Sequence, residues 1–353
     1  MLGPLHRIFL MQSPATLEQH GTPGVACAQG EGSVTAIIPT FHRPLLVKRA
    51  VQSALAQTYR NLEVVVVIDG RDDATRQLVA AMREPRVRIV GLSANLGAAQ
   101  ARNIAVGMAR GEWVAFLDDD DEWLPQKIAL QMEAACASRA AYPVISSRTI
   151  VRTPAFDWIS PRSMYAHGEP MSEYLFCRRD FVDGARYMQT STLLTRRELM
   201  LELPFQRHLK RHQDWDWLLR ASSYPGVDFQ MLPEPLAIFH VEDGRTSLGR
   251  ALDWEFSRAW AREMRHAFTP RAYSFFLATE CVSRAVKSSA GGSTYAQLTW
   301  EFFARGRPTA RSVLTLAAFL CIPERMRGWG RQFIRRIRAR DRARRPFQSG
   351  LRA

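Results

Sequence analysis

The sequence predicts an α/β fold built on a doubly wound, mostly parallel β-sheet, with a mainly helical extension toward the C-terminus. Three observations favour this fold. Short apolar runs of strand type alternate with stretches of helical spacing between residues 33 and 125, the order of βαβ units. One run, Leu62–Ile68, is so rich in valine that both of its faces should be buried, as in a parallel sheet. Polar residues follow the ends of three runs, where the ligands of such sheets bind.

The individual elements follow in chain order. Strands are predicted at Val34–Ile38, Leu62–Ile68, Val87–Val90 and Trp113–Leu117, and helices at residues 44–55, Asp72–Met82 and Ala98–Ala109. Pro39 should end the first strand, and Pro44 suits the first turn of the first helix because its missing N–H is not needed there. Residues 140–210 look irregular, with short strands and loops, and the chain from Ser247 onward reads mainly helical.

Length and composition bound the organisation of the chain. The 353 residues, 46% hydrophobic and 23% charged, suit one sizeable globular domain with an appendage, or two domains. We divide them into a flexible leader (1–32), a catalytic domain (33–246) and a helical C-terminal region (247–353). The five cysteines are scattered without a CxxC pair, which argues against a disulfide framework or a zinc site and favours a reducing compartment.

The net charge of +14 is concentrated near the C-terminus. Ten arginines and one aspartate lie between Arg325 and Arg345, and Trp329, Phe333 and Ile337 recur there every four residues. This pattern predicts a basic amphipathic helix on an anionic membrane surface, with a solvated helix as the alternative. No nucleic-acid partner is expected, because no binding module accompanies the charge. The apolar run from Ser312 to Pro323 is too short to span a bilayer.

An acidic run marks the predicted binding edge of the sheet. Thr40 and Asp69 follow the first and second strands, and Asp118 to Glu122 follow the fourth. Five adjacent carboxylates repel one another when ionised, unless a cation lies among them. Oxygen clusters of this kind suit Mn²⁺ or Mg²⁺. A solvated acidic loop is the alternative interpretation.

Several ordered segments over roughly residues 33–245 resemble the family 2 glycosyltransferases, inverting enzymes of the GT-A fold. They are residues 33–44 (SVTAIIPTFHRP), like the family's opening strand and "PTYNR" turn, then 54–63 (ALAQTYRNLE), 95–97 (NLG) with 101–103 (ARN), and 111–125, which contain the DxD motif. The resemblance implies the nucleotide-diphospho-sugar transferase fold. It departs at Ile68, where the family usually has a first acidic residue before the aspartate that is Asp69 here.

Roles in donor binding follow from the resemblance. It assigns Thr40, Arg43, Asp69, Arg102, Asp118 and Asp119 to the nucleotide, with Asp69 accepting from the base. It assigns Asp120 to the metal, with Asp118 and His240 as further candidate ligands. A lone histidine such as His240 is more often structural.

The second half of the chain carries a further resemblance. Residues 212–220 (HQDWDWLLR) resemble the family's "ED…DLWLR" segment, which implies that Asp214 is the general base. Gln213 replaces the usual acidic neighbour, and losing that like charge should leave Asp214 more readily ionised. The alternative is that Asp214 only stabilises a helix N-terminus. Gln189 and Thr190 match the acceptor side, and Trp217 is either an acceptor contact or a core residue.

The predicted function is therefore an inverting transfer of a sugar from a nucleotide-sugar, with UDP expected, to a hydroxyl of a glycan or lipid-linked acceptor in cell-envelope synthesis. A cytoplasmic enzyme, peripheral on the inner face of the membrane, is expected. Two alternatives stay open: a nucleotide-sugar-binding protein without catalysis, and a metal-dependent nucleotidyltransferase, which releases pyrophosphate instead of a nucleoside diphosphate.

Overall fold

The computed structural model describes residues 32–178, 186–241, 252–322 and Met326. The predicted leader, the domain boundary near Thr246 and the basic tail lie outside these residues. Among the described residues no helix is both long and apolar enough to cross a membrane.

A nine-stranded sheet runs through the described chain. Its strands are β1 (Val34–Thr40), β2 (Leu62–Ile68), β3 (Val87–Gly91), β4 (Trp113–Phe116), β5 (Glu122–Trp123), β6 (Tyr142–Arg152), β7 (Asp157–Ser160), β8 (Leu194–Arg196) and β9 (Val227–His240). They are ordered β3-β2-β1-β4-β8-β6-β9-β5, with β7 beside β6. The pairs β1–β2, β1–β4, β2–β3 and β6–β9 are parallel and the others antiparallel. The sheet is therefore mixed, and parallel throughout only in its first half.

The helices cover both faces of the sheet and form the C-terminal region. They are α1 (Pro44–Leu55), α2 (Asp73–Ala80), α3 (Ala98–Met108), α4 (Lys127–Ala137), α5 (Met171–Phe176), α6 (Arg197–Glu202), α7 (Gln213–Ala221), α8 (Trp254–Glu263), α9 (Pro270–Phe276), α10 (Ser283–Lys287), α11 (Gly292–Ala304) and α12 (Ala310–Cys321). Short 3₁₀ turns occupy Thr190–Thr192 and Met264–Ala267, and a π-helical segment, Leu277–Val282, joins α9 to α10.

Alternate residues of the central strands enter two hydrophobic cores. Ile37, Val65 and Val67 face a core shared with α3, α5, α7 and the C-terminal helices. Ile38 and Val66 face the opposite core, shared with α1, α2 and α4. Because a strand points successive side chains to opposite faces, the valine-rich β2 is buried on both sides, as its composition predicts.

The predicted elements up to β4 are confirmed, with two differences in the sheet. β1 continues through Pro39 to Thr40. Its pairing with β4 ends at Ile37, so β1 has one ladder partner where the proline lies. The expectation of an irregular segment at residues 140–210 is wrong for β6, an 11-residue strand between β8 and β9. Buried polar residues of β6, such as Ser146 bonded to Thr192 at 2.8 Å, hide its pattern.

Candidate active site

The Asp72 carboxylate links the turn after β1 to the start of α2. Asp72 accepts from the backbone N–H of His42 and, as the cap of α2, from the N–H of Thr75, both at 3.0 Å. His42 adopts a left-handed conformation with φ 53°. The Asp72 bond holds this turn in place, and the turn carries Arg43 toward the end of β4. Sequence reasoning missed Asp72, although an aspartate before a helical stretch is a recognisable cap signal.

Asp69 lies buried at the carboxyl end of β2. Its two carboxylate oxygens accept from the backbone N–H groups of Leu96 at 2.7 Å and Gly97 at 2.8 Å. Asp69 thus orders the loop that leads into α3. Each carboxylate oxygen has a further lone pair, so the side chain can accept another hydrogen bond from a ligand.

Thr40 and Arg43 converge on Asp119. The Thr40 hydroxyl donates to Asp119 Oδ2 at 2.8 Å, and the Arg43 guanidinium contacts Asp119 Oδ1 at 3.1 Å and Asp120 Oδ2 at 3.4 Å. Burial raises the pKa of Asp119, Arg43 and Thr40 oppose the rise and the charge of Asp120 adds to it, with a net pKa of about 6. These partners join the end of β1 to the acidic run, where the sequence predicts a nucleotide site.

Asp118, Asp120 and Asp121 form a carboxylate cluster in which one oxygen from each lies within 4.8 Å of the others. Asp121 is buried, and its Oδ1 has no hydrogen-bond partner among the described residues. Burial, and then the charges of Asp118 and Asp120, raise the pKa of Asp121 well above its ordinary value. An unsatisfied buried oxygen within an all-oxygen donor set suits a hard divalent cation. The cluster therefore fits Mn²⁺ or Mg²⁺, with Asp121 added to the expected ligands.

His240 does not belong to this cluster. Its Nε2 lies 2.6 Å from Oε1 of Glu122, next to the acidic run. A carboxylate partner on one ring nitrogen is compatible with metal ligation through the other, so both alternatives for His240 stay open.

Arg102 connects the acidic run to α7. Its buried guanidinium donates to Asp118 and, at 3.1 Å, to Oε1 of Gln213. Burial by itself would lower the pKa of Arg102, but the charges of Asp118 and Asp214 outweigh it and raise that pKa. Gln213, which replaces an acidic residue of the family pattern, therefore binds the arginine as a neutral acceptor.

Asp214 lies in the first turn of α7 and accepts a hydrogen bond from the Thr190 hydroxyl. Burial raises the pKa of Asp214, and the charge of Asp118 raises it further, whereas Arg102 and Thr190 oppose the rise. The expectation from the loss of an acidic neighbour was a more readily ionised carboxylate. That expectation compares Asp214 with a site that has an acidic neighbour, and it stays a prediction. Relative to its ordinary value, the pKa of Asp214 is raised because desolvation outweighs the opposing effects of Arg102 and Thr190.

The 3₁₀ turn Thr190–Thr192 touches both groups of carboxylates. While Thr190 binds Asp214, the Ser191 hydroxyl donates to Asp121 Oδ2 and accepts from the Asp118 N–H at 3.1 Å. Gln189 Nε2 lies 3.4 Å from the same Asp121 oxygen. The sequence placed the segment Gln189–Thr192 on the acceptor side but did not link Ser191 to the carboxylate cluster, because its partners lie about 70 residues away along the chain.

Trp217 is not on the acceptor side, which corrects that expectation. Its side chain is fully buried, and its Nε1 donates to the Leu203 carbonyl at 2.8 Å. Trp217 occupies an inward position of an amphipathic helix, so it packs in the core beside Phe205.

The mixed α/β sheet, with a carboxylate cluster at the carboxyl end of β4 and a separate carboxylate on α7, defines a glycosyltransferase of the GT-A fold class. Residues 35–203 match the family described as Glycosyl transferase family 2, the same family that the sequence motifs resemble.

The proteins similar to the chain include two curated relatives and one solved structure. The amylovoran biosynthesis glycosyltransferase AmsB of Erwinia amylovora is 27% identical over 76% of this chain and 91% of that protein. The UDP-Glc:alpha-D-GlcNAc-diphosphoundecaprenol beta-1,3-glucosyltransferase WfaP of Escherichia coli is 35% identical over 28% of this chain and 39% of that protein. The mannosyltransferase PcManGT of Pyrobaculum calidifontis, in complex with GDP-Man and Mn2+, aligns over 84% of this chain and 83% of that one, with a TM-score of 0.53 and 20% identity.

Proposed function

We propose that this glycosyltransferase moves a sugar from a UDP-sugar to a hydroxyl of a lipid-linked glycan, with inversion at the anomeric carbon. The observation that carries the proposal is the position of Arg102. Its guanidinium binds Asp118 on the donor side and Gln213 beside Asp214 on the acceptor side. The two carboxylate groups are thus adjacent but on separate elements. A direct displacement needs this arrangement, because the leaving group and the attacking hydroxyl lie on opposite sides of the sugar.

The donor nucleotide lies along the carboxyl edge of the sheet in this proposal. Asp69 accepts from the base, and the Thr40–Asp119 pair and Arg43 hold the ribose and phosphate region. The already formed bonds of these side chains to neighbouring elements support this role. A site that is ordered before the ligand arrives loses less conformational entropy on binding.

Asp120, Asp118 and Asp121 are the proposed ligands of the divalent cation. Bound there, Mn²⁺ or Mg²⁺ supplies neutralisation of the charge on the departing diphosphate. Arg102 and Arg43 add fixed positive charge next to the same carboxylates. Ser191 holds Asp121 in orientation through its hydroxyl.

Asp214 is the proposed general base. The acceptor hydroxyl gives its proton to the Asp214 carboxylate as its oxygen attacks the anomeric carbon, and the bond from that carbon to the diphosphate breaks. Thr190 fixes the carboxylate by donating to Oδ1. The raised pKa of Asp214 makes it a stronger proton acceptor once it is ionised.

The acceptor and the location are proposed from two further observations. WfaP, by its printed name, acts on a diphosphoundecaprenol-linked sugar, and the ten arginines between Arg325 and Arg345 suit an anionic membrane surface. We therefore propose a peripheral enzyme on the inner face of the membrane, where nucleotide-sugars are supplied from the cytoplasm.

The test is an assay of the purified protein with UDP-glucose, UDP-GlcNAc, UDP-galactose and GDP-mannose, each with Mn²⁺ and a GlcNAc-diphospholipid acceptor. We expect release of UDP and a glycolipid product whose new linkage has the inverted anomeric configuration by NMR. Donor binding without transfer, in this assay and with membrane extracts as acceptor, would instead indicate a binding protein. Release of pyrophosphate would indicate a nucleotidyltransferase.

A further inference from the structure

Helix α12 presents its large apolar side chains to solvent. Leu314 is 59% exposed, and Val313, Leu320 and Ile322 are 36–41% exposed. Val313, Leu314, Ala317 and Leu320 share one face by helical spacing. The inward face holds the small residues Ser312 and Thr315 together with Leu316. The helix therefore carries large apolar side chains on its outward face as well as on the inward face that holds Leu316.

The neighbouring helix α11 also exposes large apolar side chains. Trp300 is 61% exposed and Phe303 52% exposed. Their helix-mates Leu298 and Phe302 are buried in the core that contains the π-helical segment Leu277–Val282. A contiguous exposed apolar patch marks an interaction surface. We call the outward apolar residues of α12, which are Val313, Leu314, Ala317 and Leu320, the C-terminal apolar face.

The charge beside the C-terminal apolar face identifies its partner. Residues 302–323 contain Arg305, Arg307 and Arg311 and no acidic residue. A second copy docked here symmetrically would bring the same arginines together, and the basic tail from Arg325 to Arg345 would add ten more. Covering the face with a second copy, or with the basic tail of the same chain, would therefore place like charges side by side in a poorly solvated contact, which is unfavourable. An anionic lipid surface offers an apolar interior and complementary charge together.

We propose, building on the lipid-linked acceptor of the proposed function, that the C-terminal apolar face docks into the interface of an anionic membrane. A helix of 12 residues is about 18 Å long, too short to span the bilayer but sufficient to lie in its interface. Leu314, Val313 and Leu320 insert among the acyl chains, and Arg305 and Arg307 contact phosphate headgroups. In the sequence the basic tail begins four residues after the end of α12, and its arginines add electrostatic attraction.

The proposal is tested by sedimentation of the full chain with vesicles of phosphatidylcholine containing phosphatidylglycerol, and with phosphatidylcholine alone. We expect binding to the anionic vesicles, and Leu314→Glu and Leu320→Glu should each weaken it by about tenfold or more, because a buried leucine contributes that much to partitioning. Leu201→Glu is the matched control, since Leu201 is 48% exposed on α6, and it should bind like the wild type. Equal binding by all four proteins would overturn the proposal.

A fluorescent label on the native thiol of Cys321 can report what covers the C-terminal apolar face. Cys321 is exposed at the end of α12, and an environment-sensitive dye can be attached to it in a Cys27→Ser, Cys136→Ser background. We expect blue-shifted emission only when anionic vesicles are added. Blue-shifted emission without vesicles would mean that the tail or a second copy covers the face, and would overturn the proposal.

Calorimetric binding of UDP with Mn²⁺ separates this inference from the proposed function. Leu314→Glu should leave that binding unchanged. If the wild type transfers no sugar but Leu314→Glu selectively loses vesicle binding, the proposed docking surface is supported and the proposed function is wrong. If the wild type transfers sugar and Leu314→Glu binds vesicles normally, the proposed function is supported and the docking surface is wrong.

Discussion

The buried guanidinium of Arg102 donates a hydrogen bond to Asp118. Arg102 lies on α3 and Asp118 follows β4, and the same guanidinium feels the charge of Asp214 on α7. Three elements that are distant in sequence therefore meet at the Arg102 guanidinium. A change at Arg102 would therefore affect both the donor and the acceptor side of the proposed site, whereas changes at residues of one side can separate the two roles.

Asp214→Asn should lower transfer by about 10²- to 10⁴-fold, the usual contribution of a positioned general base. The amide keeps the shape of the carboxylate but cannot take the proton. Affinity for UDP with Mn²⁺ should change little, because the proposed nucleotide contacts lie on other elements.

Asp216→Asn is the matched control for that variant. Asp216 lies in the same first turn of α7, but it binds Arg220 and the Trp260 indole instead of the active site. This change should lower the melting temperature and leave transfer largely intact. A normal rate for Asp214→Asn with reduced stability would make Asp214 only a helix-start residue.

Asp120→Ala should reduce UDP affinity in Mn²⁺ to the value measured with EDTA, because the variant lacks one proposed ligand of the cation. Isothermal titration calorimetry with and without EDTA measures this. Asp157→Ala is the control, since Asp157 forms an exposed ion pair with Arg152 at 3.0 Å, remote from the acidic run in sequence. Metal-dependent affinity equal to that of the wild type would exclude Asp120 as a ligand.

Ser191→Ala should weaken Mn²⁺ affinity by about 10- to 100-fold, the usual effect of removing a partner of a metal ligand. The change removes the hydroxyl that orients Asp121, and the Mn²⁺ concentration for half-maximal activity should rise while the rate at saturating Mn²⁺ falls less. Ser146→Ala is the control, because Ser146 binds Thr192 of the same turn but no carboxylate. A purely structural role for Ser191 would lower the melting temperature alone.

Trp217→Phe should destabilise the protein by about 1–3 kcal/mol, since it removes the hydrogen bond from the fully buried Trp217 to the partly buried Leu203 carbonyl. The KM for the acceptor should not change. A large increase in that KM with an unchanged melting temperature would restore Trp217 to the acceptor side.

His212 should make stability depend on pH. Burial, and then the charges of Arg211 and Arg284, lower the pKa of His212 from 6.5 to about 3. The folded protein keeps this ring neutral while the unfolded chain protonates it, so stability is lost as the pH falls from about 6.5 toward 3. Between pH 7 and pH 5 this loss should amount to about 1–2 kcal/mol by urea unfolding.

His212→Asn is the variant that isolates this effect, because asparagine tolerates the left-handed conformation (φ 63°) of residue 212. It should be less stable at pH 7, having lost the ring stacked on Trp215, but its stability should fall less between pH 7 and pH 5. An equal fall in both proteins would assign the pH dependence to other groups.

Much of the fold and part of the site could be predicted from local pattern. Valine-rich runs, the proline at the start of α1 and the helical spacing of α3 identify elements because backbone preference and burial are short-range properties. The position of Thr40, Asp69 and the acidic run at one edge followed from the alternation of strands and helices alone. The roles of these residues remain predictions for the experiments above.

The sequence by itself determined the family resemblance, the order of the first strands and which side chains reach the carboxyl edge of the sheet. Only the tertiary structure decided that Asp121 joins the carboxylate cluster and that burial raises the pKa of Asp214. It also decided that Ser191 binds Asp121 while its neighbour Thr190 binds Asp214. Trp217 was likewise assigned to the core by its burial and by its bond to Leu203. Local pattern cannot supply these facts, because a pKa or a hydrogen bond depends on groups brought together from distant parts of the chain and on the water excluded between them.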